Sequence, residues 1–265
     1  MVRRSERCRP AGPPRPSATP PQEEGTYAYE SSMNPLMPAV ILAGGMATRL
    51  GELTATTPKA LIEVAGQPFL WHQLQLLKRN GIDRVVLLLG HLGEAIQERF
   101  GDGSELGLSL EYSFDGPVLL GTAGAIGRAL ALLPDQFFVL YGDSYLPCDY
   151  RAVQEAFLES KRQGLMTVYR NDGKFDASNV EFDGTDILRY DKEARMLAMH
   201  HIDYGLEAFQ RRVFADIPEG QRLDLATVCQ DLLSKGQLAA FEVRERFYEI
   251  GSAAGIQDTA EFLLR

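Results

Sequence analysis

A glycine loop after a short apolar run is the first segment whose residue types suggest chemistry. Residues 40–42 read Val-Ile-Leu, which predicts a buried strand, and Gly44 and Gly45 follow. A glycine pair at a strand end lets backbone N–H groups approach a phosphate without a Cβ in the way. Arg49 adds a planar fork of donors that matches phosphate oxygens. Taken alone, the segment fits an ordinary strand-to-helix turn with a surface arginine equally well.

A second cation stands in the loop that follows. Pro58 stiffens this loop and holds Lys59 at a defined place. Lys59 comes ten residues after Arg49, which is close enough for both side chains to face one phosphate chain. A single lysine is usually solvated and has no role. Lys59 therefore supports a phosphate site only in combination with the glycine loop.

Two carboxylates beside glycines predict a divalent metal site. Asp143 follows Gly142 at the end of a predicted strand, and Mg²⁺ prefers one or two carboxylates together with phosphate oxygens and water. Glu249, which precedes Gly251, is the second candidate. The alternatives are a turn or N-cap aspartate and an ordinary surface glutamate.

Small residues open a predicted helix at 121–124, where the sequence reads Gly-Thr-Ala-Gly. They allow close backbone approach, and a helix N-terminus favours an anionic or polar ligand. Tight packing of the helix against a sheet is the alternative explanation.

These residues meet only if the strands that carry them end at one edge of a sheet. The first half alternates predicted strands at 40–42, 85–89, 108–112 and 137–141 with predicted helices at 68–80, 92–100 and 123–133. Such alternation favours an α/β fold with a mostly parallel, Rossmann-like sheet and helices on both faces, in three layers. Ligands of these sheets bind beyond the carboxyl ends of the strands, where the glycine loop and Asp143 are expected to meet.

The pattern of predicted elements changes in the second half of the chain. This half predicts an extension of the same sheet that carries substrate-specific parts. Its predicted strands are 165–169, 180–182 and 187–190, its predicted helices are 150–163, 207–214 and 223–234, and residues 241–264 predict a strand, a turn and a helix.

Composition limits the function further. The chain of 265 residues carries a formal net charge of −9, which disfavours broad binding to nucleic acid. Three cysteines, Cys8, Cys148 and Cys229, do not suggest a disulfide framework and fit a reducing, cytoplasmic location. There is no apolar run long enough to predict a membrane span.

Residues 1–36 are rich in proline and serine and predict a disordered tail, because they cannot bury enough apolar surface to offset their ordering entropy. A start codon placed too early, with Met33 or Met37 as the true start, explains the same composition.

The motifs together resemble the sugar-1-phosphate nucleotidyltransferase superfamily, whose signature is L-A-G-G-x-G-T-R-L followed by P-K. The matching segments, in the expected order, are 42–50, 58–59, 121–124 and 142–143. The chain looks most similar to short bacterial heptose- or mannose-1-phosphate guanylyltransferases and N-acetylmuramate-1-phosphate uridylyltransferases. The resemblance implies a nucleotide-diphospho-sugar transferase fold over residues 37–265, with a nucleotide-binding half at 37–145 and a sugar-phosphate-binding half at 146–265.

The resemblance also implies roles for single residues. It assigns catalysis to Arg49, Lys59 and Asp143, and Mg²⁺ binding to Asp143 and Glu249. The implied nucleotide-binding residues are Leu42, Ala43, Gly44, Gly45, Gly121, Thr122 and Gly124, and the implied sugar-phosphate-binding residues are Asp191, Lys192 and Asp203.

The implied reaction is in-line attack of a sugar phosphate oxygen on the α-phosphorus of an NTP, with release of pyrophosphate. GTP with a heptose or mannose 1-phosphate is favoured, and UTP with another sugar is the runner-up. The expected partners are these two substrates, without nucleic acid or membrane, and the resemblance leaves a homo-oligomer open.

Three departures keep a non-catalytic nucleotide-sugar-binding relative open. Ala47 replaces the usual second loop glycine, Glu249 replaces an aspartate and Ser252 replaces a threonine. Two other enzyme classes fit less well. A dinucleotide-binding oxidoreductase requires the G-x-G-x-x-G spacing, which the loop lacks, and a metal-dependent glycosyltransferase usually has a second aspartate where Tyr145 stands.

Overall fold

One central sheet organises the part of the chain that the computed structural model describes, which is residues 35–45, 57–193 and 196–265. In chain order the strands there are β1 (Ala39–Leu42), β2 (Glu63–Val64), β3 (Gln67–Pro68), β4 (Arg84–Leu89), β5 (Ser109–Phe114), β6 (Gln136–Tyr141), β7 (Ser144–Tyr145), β8 (Gly164–Arg170), β9 (Val180–Phe182), β10 (Ile187–Tyr190), β11 (His201–Gln210), β12 (Leu238–Val243) and β13 (Tyr248–Glu249). The α-helices are α1 (Phe69–Arg79), α2 (Gly93–Phe100), α3 (Gly121–Arg128), α4 (Tyr150–Ser160), α5 (Leu225–Ser234) and α6 (Ala253–Leu263).

The sheet is mixed and mostly follows the predicted parallel pattern. Its order is β10-β9-β11-β6-β1-β4-β5, and β8 pairs with both β11 and β12. The strands β6, β1, β4 and β5 run parallel, whereas β11 is antiparallel to its neighbours β6 and β8. The predicted Rossmann-like α/β class is therefore confirmed, and β11 joins the second half of the chain to the first in one sheet.

Both faces of the sheet are buried, which explains the continuous apolar runs of the central strands. On one face, Ile41 and Leu140 pack with residues of α1 and α4, among them Leu74 and Phe157. On the other face, Val40 and its neighbours pack with residues of α3 and α5. With helices on both sides, no strand of the parallel part needs a polar face.

The prediction of a helix over 207–214 was wrong. Glu207 lies in β11, and the strand continues to Gln210 before a short 3₁₀ turn. The backbone of Glu207 pairs with Val139 of β6 on one side and with Met166 of β8 on the other. Two ladders of long-range hydrogen bonds outweigh local helix preference here.

Other boundaries moved by a few residues for local reasons. The helix predicted to reach Gln163 ends at Ser160, because Lys161 adopts a left-handed conformation with φ 55° and β8 begins at Gly164. The helix predicted over 123–133 is α3, which starts earlier and is followed by a 3₁₀ turn at 130–132.

The compact unit begins at Pro35. Leu36 is buried, and Gln154 accepts a hydrogen bond from Met37 N at 2.7 Å and donates one to Pro35 O at 3.2 Å. Pro35 and Leu36, which the tail prediction included, thus belong to the folded domain. The remainder of that tail, with Cys8, lies outside the described residues. Within the described residues, no helix has the length and apolarity to cross a membrane.

The loops that leave β1 and β4 touch backbone to backbone. A Cβ on Gly90 would lie 2.5 Å from Gly44 O, and a Cβ on Gly44 would lie 2.8 Å from Gly90 N. Neither distance is tolerable for a real side chain, so glycine is required at both strand ends for the loops to approach this closely.

We expect Gly90→Ala to lower the free energy of unfolding by about 1–3 kcal/mol, because overpacking against backbone cannot be relieved by a side-chain rotation. The matched control is Gly127→Ala in α3, where the new Cβ would meet only the Ile217 side chain at 3.3 Å. Helix preference for alanine should keep that change within about 1 kcal/mol. Urea unfolding of both variants measures the difference, and equal effects would contradict the backbone-contact explanation.

Candidate active site

A cleft of about 270 Å³ opens at the carboxyl ends of β1 and β6, where the fold predicts a ligand site. It gathers most of the residues that the sequence predicted. The predicted residues in its lining are Leu42, Ala43, Gly44, Gly45, Lys59, Gly121, Thr122 and Asp143.

Opposite charges meet inside this cleft. Lys59 Nζ donates to Asp143 Oδ2 at 2.7 Å, although the two residues are 84 positions apart. Lys59 sits in a 3₁₀ turn that begins directly after Pro58, and Asp143 follows the end of β6. Ser144 Oγ donates to the other Asp143 oxygen at 3.2 Å. The structure thus brings one predicted cation and one predicted metal ligand into contact.

The other predicted cation, Arg49, lies outside the described residues, as does Ala47. A cation that the sequence reading did not single out, Arg222, lines the cleft from the segment before α5. Its position just before a predicted helix looks like that of any surface arginine, so local spacing offered no signal for it.

A buried glutamine fixes the loop that carries Asp143. Gln73 Nε2 donates to Tyr141 O at 3.0 Å and to Ser144 O at 2.8 Å, which spans the turn on both sides of Asp143. Gln73 is 2% exposed and sits among the apolar residues of α1. The sequence pattern does not predict this role, because a polar residue inside a helical pattern is usually solvated.

Glu249 reaches the same region through its backbone. It pairs with Ser144 in the β13–β7 ladder, and Ile250 N donates to Asp143 O at 3.0 Å. Its carboxylate is turned toward the start of α6, where it accepts hydrogen bonds from Gly251 N and from Ser252 Oγ. The two predicted metal ligands are therefore close to one another in the fold, with only Asp143 in the cleft lining.

The described residues contain no group of three or more His, Cys, Asp or Glu side chains arranged to hold a metal ion. Such a group is not required for Mg²⁺, which binds through one or two carboxylates while phosphate oxygens and water complete its shell. Asp143 is a donor of this kind beside a cleft with cations for phosphate. The donor chemistry thus fits a magnesium–phosphate ligand.

The small residues at the start of α3 have two separate roles. Gly121 and Thr122 line the cleft, and Thr122 Oγ1 accepts a hydrogen bond from Leu225 N at 2.7 Å. Gly124 instead packs against the 221–223 segment, since a Cβ there would lie 2.4 Å from Gln221 O. For Gly124 the packing alternative describes the structure, and its predicted place in the nucleotide pocket stays a prediction.

A buried aspartate lies in another part of the cleft lining. Asp115 follows β5, lines the cleft and accepts a hydrogen bond from Leu120 N at 3.1 Å. Burial raises the pKa of Asp115, although the hydrogen bond from Leu120 and the charge of Arg128 act the other way. The carboxyl closes the 115–120 loop, a role that the sequence reading did not assign.

Two of the predicted sugar-phosphate-binding residues, Lys192 and Asp203, lie near Tyr141, which lines the cleft. Lys192 Nζ donates to Tyr141 OH at 3.0 Å and lies 3.6 Å from Asp203 Oδ2. Burial lowers the pKa of Lys192, but nearby carboxylates, Asp203 foremost, outweigh it, and the pKa is raised. Asp191 Oδ1 accepts a hydrogen bond from Glu193 N at 2.8 Å in the adjoining turn. Lys192 is thus a protonated cation close to the cleft wall.

Comparison with known proteins identifies a family that matches most of the chain. Residues 38–264 match the family model described as Nucleotidyl transferase. The chain is 42% identical over 117 residues to N-acetylmuramate alpha-1-phosphate uridylyltransferase of Neisseria meningitidis, covering 44% of this chain and 51% of that protein. It is 28% identical over 216 residues to D-glycero-alpha-D-manno-heptose 1-phosphate guanylyltransferase of Campylobacter jejuni, covering 81% and 95%.

The fold has solved counterparts as well. A putative glucose-1-phosphate thymidylyltransferase from Bacillus anthracis superposes with a TM-score of 0.76 at 22% identity, covering 85% of this chain and 94% of that one. Identity this low supports the fold alone. The chain spans about half the length of the uridylyltransferases that it matches among curated proteins.

We expect Gln73→Leu to destabilise the protein and to weaken binding of a nucleoside triphosphate, because the carbonyls beside Asp143 lose their donor. Leaving such groups unpaired costs about 1–3 kcal/mol. Gln154→Leu is the matched control, since Gln154 is also buried and also makes two backbone hydrogen bonds, near Met37. Thermal unfolding should report both losses, whereas a nucleotide titration should report only the first. Equal nucleotide affinities in the two variants would refute the positioning role.

Proposed function

The chain belongs to the nucleotidyl transferase family, and we propose that it joins a nucleoside triphosphate to a sugar 1-phosphate and releases pyrophosphate. The observation that carries this proposal is the contact between Lys59 and Asp143 inside a glycine-lined cleft at the strand ends. A cation and a carboxylate side by side suit a ligand that is itself a complex of a metal ion and an anion.

In the proposed reaction an oxygen of the sugar phosphate attacks the α-phosphorus, and the bond from that phosphorus to the leaving pyrophosphate breaks. The nucleophile is already an anion, so no general base is needed. The main obstacle is repulsion between two polyanions. Lys59 on the triphosphate and Lys192 on the sugar phosphate would offset it, and alignment of the two substrates would supply the rest of the acceleration.

Asp143 would hold Mg²⁺, and Glu249 would join it if its side chain rotated away from Gly251 N. When bound, the ion would neutralise charge on the phosphates and orient them. Lys59 would then exchange its carboxylate partner for phosphate oxygens. In the free protein the ion pair keeps both partly buried charges compensated. Arg49 and Arg222 are further candidates for phosphate contacts.

For the substrates we favour GTP with a heptose or mannose 1-phosphate. Similarity to the Campylobacter jejuni heptose 1-phosphate guanylyltransferase extends over nearly all of that protein. Uridylyl transfer is the second candidate, supported by the higher but shorter identity to the Neisseria meningitidis enzyme. A cytoplasmic location and a homo-oligomer stay predictions, as does the alternative of a non-catalytic binding protein.

A substrate matrix tests the proposal. ATP, GTP, CTP, UTP and dTTP are each combined with glucose, mannose, heptose and N-acetylmuramate 1-phosphates in the presence of Mg²⁺, and pyrophosphate release is measured. We expect the highest kcat/KM for GTP with the heptose or mannose compound. A uridylyl preference would select the second candidate, and no release from any pair would contradict the enzymatic proposal.

We expect Asp143→Ala to lower turnover at least about a hundredfold while the protein stays folded, because an electrostatic group at the reacting phosphates is removed. Asp149→Ala is the matched control. Asp149 caps α4 by accepting hydrogen bonds from Arg151 N and Ala152 N, so its loss should cost about 1 kcal/mol of stability and little turnover. Near-normal turnover of Asp143→Ala would rule out the metal assignment.

A further inference from the structure

Glu207 is an acid in the middle of the sheet that the proposed reaction does not use. It is fully buried in β11 and pairs with Val139 and Met166 in the neighbouring strands. Directly paired residues point to the same face, and these two belong to the core that α5 covers. A carboxyl group there is costly unless it finds a partner.

A bulge in β11 supplies that partner. Asp203 pairs with Val168 and Glu207 with Met166, so four steps along β11 oppose two along β8. Gly205, with φ 96°, allows this contraction, and the Thr167 hydroxyl fastens it by donating to Leu206 O at 2.6 Å. The bulge thereby brings closer together two carboxyl groups that a regular strand would separate, and the charge of Asp203 acts on Glu207.

The pair needs a proton. Among the described residues, neither Glu207 oxygen receives a hydrogen bond from a donor group. Two ionised carboxylates would only repel, whereas one shared proton lets one group donate to the other. Burial and then the charge of Asp203 raise the pKa of Glu207 well above its usual range, against a smaller opposing effect of Lys192. The pair thus holds one proton and one negative charge.

The other contacts of Asp203 connect the pair of Asp203 and Glu207 to Lys192 and, through it, to the cleft. Its Oδ1 accepts from Gly205 N at 3.1 Å, and its Oδ2 accepts from Tyr190 OH at 2.8 Å and lies 3.6 Å from Lys192 Nζ. Lys192 in turn donates to Tyr141, which lines the cleft. The titratable groups around Glu207 are Asp203 on β11, Tyr190 on β10, Lys192 just after β10, Tyr141 on β6 and Cys229 on α5, and Asp224 before α5 acts on Lys192.

We infer that Glu207 is a positioning residue for Lys192, because it shares one proton with Asp203, keeps that pair singly charged and so holds the lysine at the cleft wall. The inference rests on the proposed role of Lys192 toward the sugar phosphate. One positive and one negative charge then balance behind the cleft. A second negative charge, or an Asp203 without its carboxyl partner, would draw the ammonium inward and away from an incoming phosphate.

The first test addresses the shared proton and needs no turnover. In Glu207→Gln the new amide cannot ionise, but it can still donate to Asp203. A carboxyl whose pKa is raised by folding contributes stability below its unfolded pKa and loses it as the pH rises. The folding equilibrium constant of the wild type should therefore fall relative to E207Q by up to about tenfold per pH unit as the pH rises above the ordinary pKa of a glutamate. Urea unfolding measures it, and a constant difference would overturn the shared proton.

The second test addresses the lysine. We expect Glu207→Leu to raise the Kd of mannose 1-phosphate about tenfold, as for one lost charge-assisted contact, and to leave the Kd of GTP unchanged, by titration calorimetry. E207Q should restore most of that affinity. Met166→Leu, at the paired position, controls for disturbed core packing. In a Lys192→Met background, E207L should add no further loss.

Equal losses for both ligands, or independent losses from Glu207 and Lys192, would overturn the positioning role. The substrate matrix separates this from the proposed function. A wild type that binds mannose 1-phosphate but releases no pyrophosphate would contradict the enzymatic proposal, while the pH profile of E207Q and the calorimetric comparison would still decide on Glu207.

Discussion

The cleft depends on how closely the loops leaving neighbouring parallel strands can approach one another. Gly44, Gly90 and Gly142 follow β1, β4 and β6, and a Cβ on any of them would lie within 2.8 Å of backbone at the end of a neighbouring strand or in its loop. Without side chains, the loops pack backbone to backbone at the sheet edge. Gly44, Gly142 and Asp143 then line one cleft, which no single loop could form.

Polar side chains buried in the helices and the sheet hold the charged groups of this volume in place. Gln73 spans the turn around Asp143, and Asp115 closes the loop on the opposite wall. Behind Tyr141, the pair of Asp203 and Glu207 faces Lys192. Each of these groups is costly to bury alone. The hydrogen bonds that Gln73 and Asp115 make therefore restrict the positions that the loops can adopt, and the geometry of the cleft follows from core packing as much as from the loops themselves.

The strand β11 differs from the strands of the parallel part in what its side chains do. The central strands β1, β4 and β6 are almost wholly apolar, since both faces lie under helices. In contrast, β11 carries Asp203 and Glu207 into the interior at the point where the bulge interrupts its ladder with β8. The strands beneath the glycine loop are thus apolar in this chain, whereas buried acids lie on β11.

The sequence by itself determined the alternating elements, the order of the strand-end motifs and the meeting of the glycine loop with Asp143, because apolar periodicity and glycine at strand ends are local signals. Tertiary structure alone decided the rest. Local spacing predicts a helix at Glu207, because its partners in β6 and β8 are distant in the chain. Gln73 and Arg222 acquire roles only where long-range packing brings them to the cleft. Gly124 faces a loop nearly a hundred residues away, a contact that spacing within one segment does not encode.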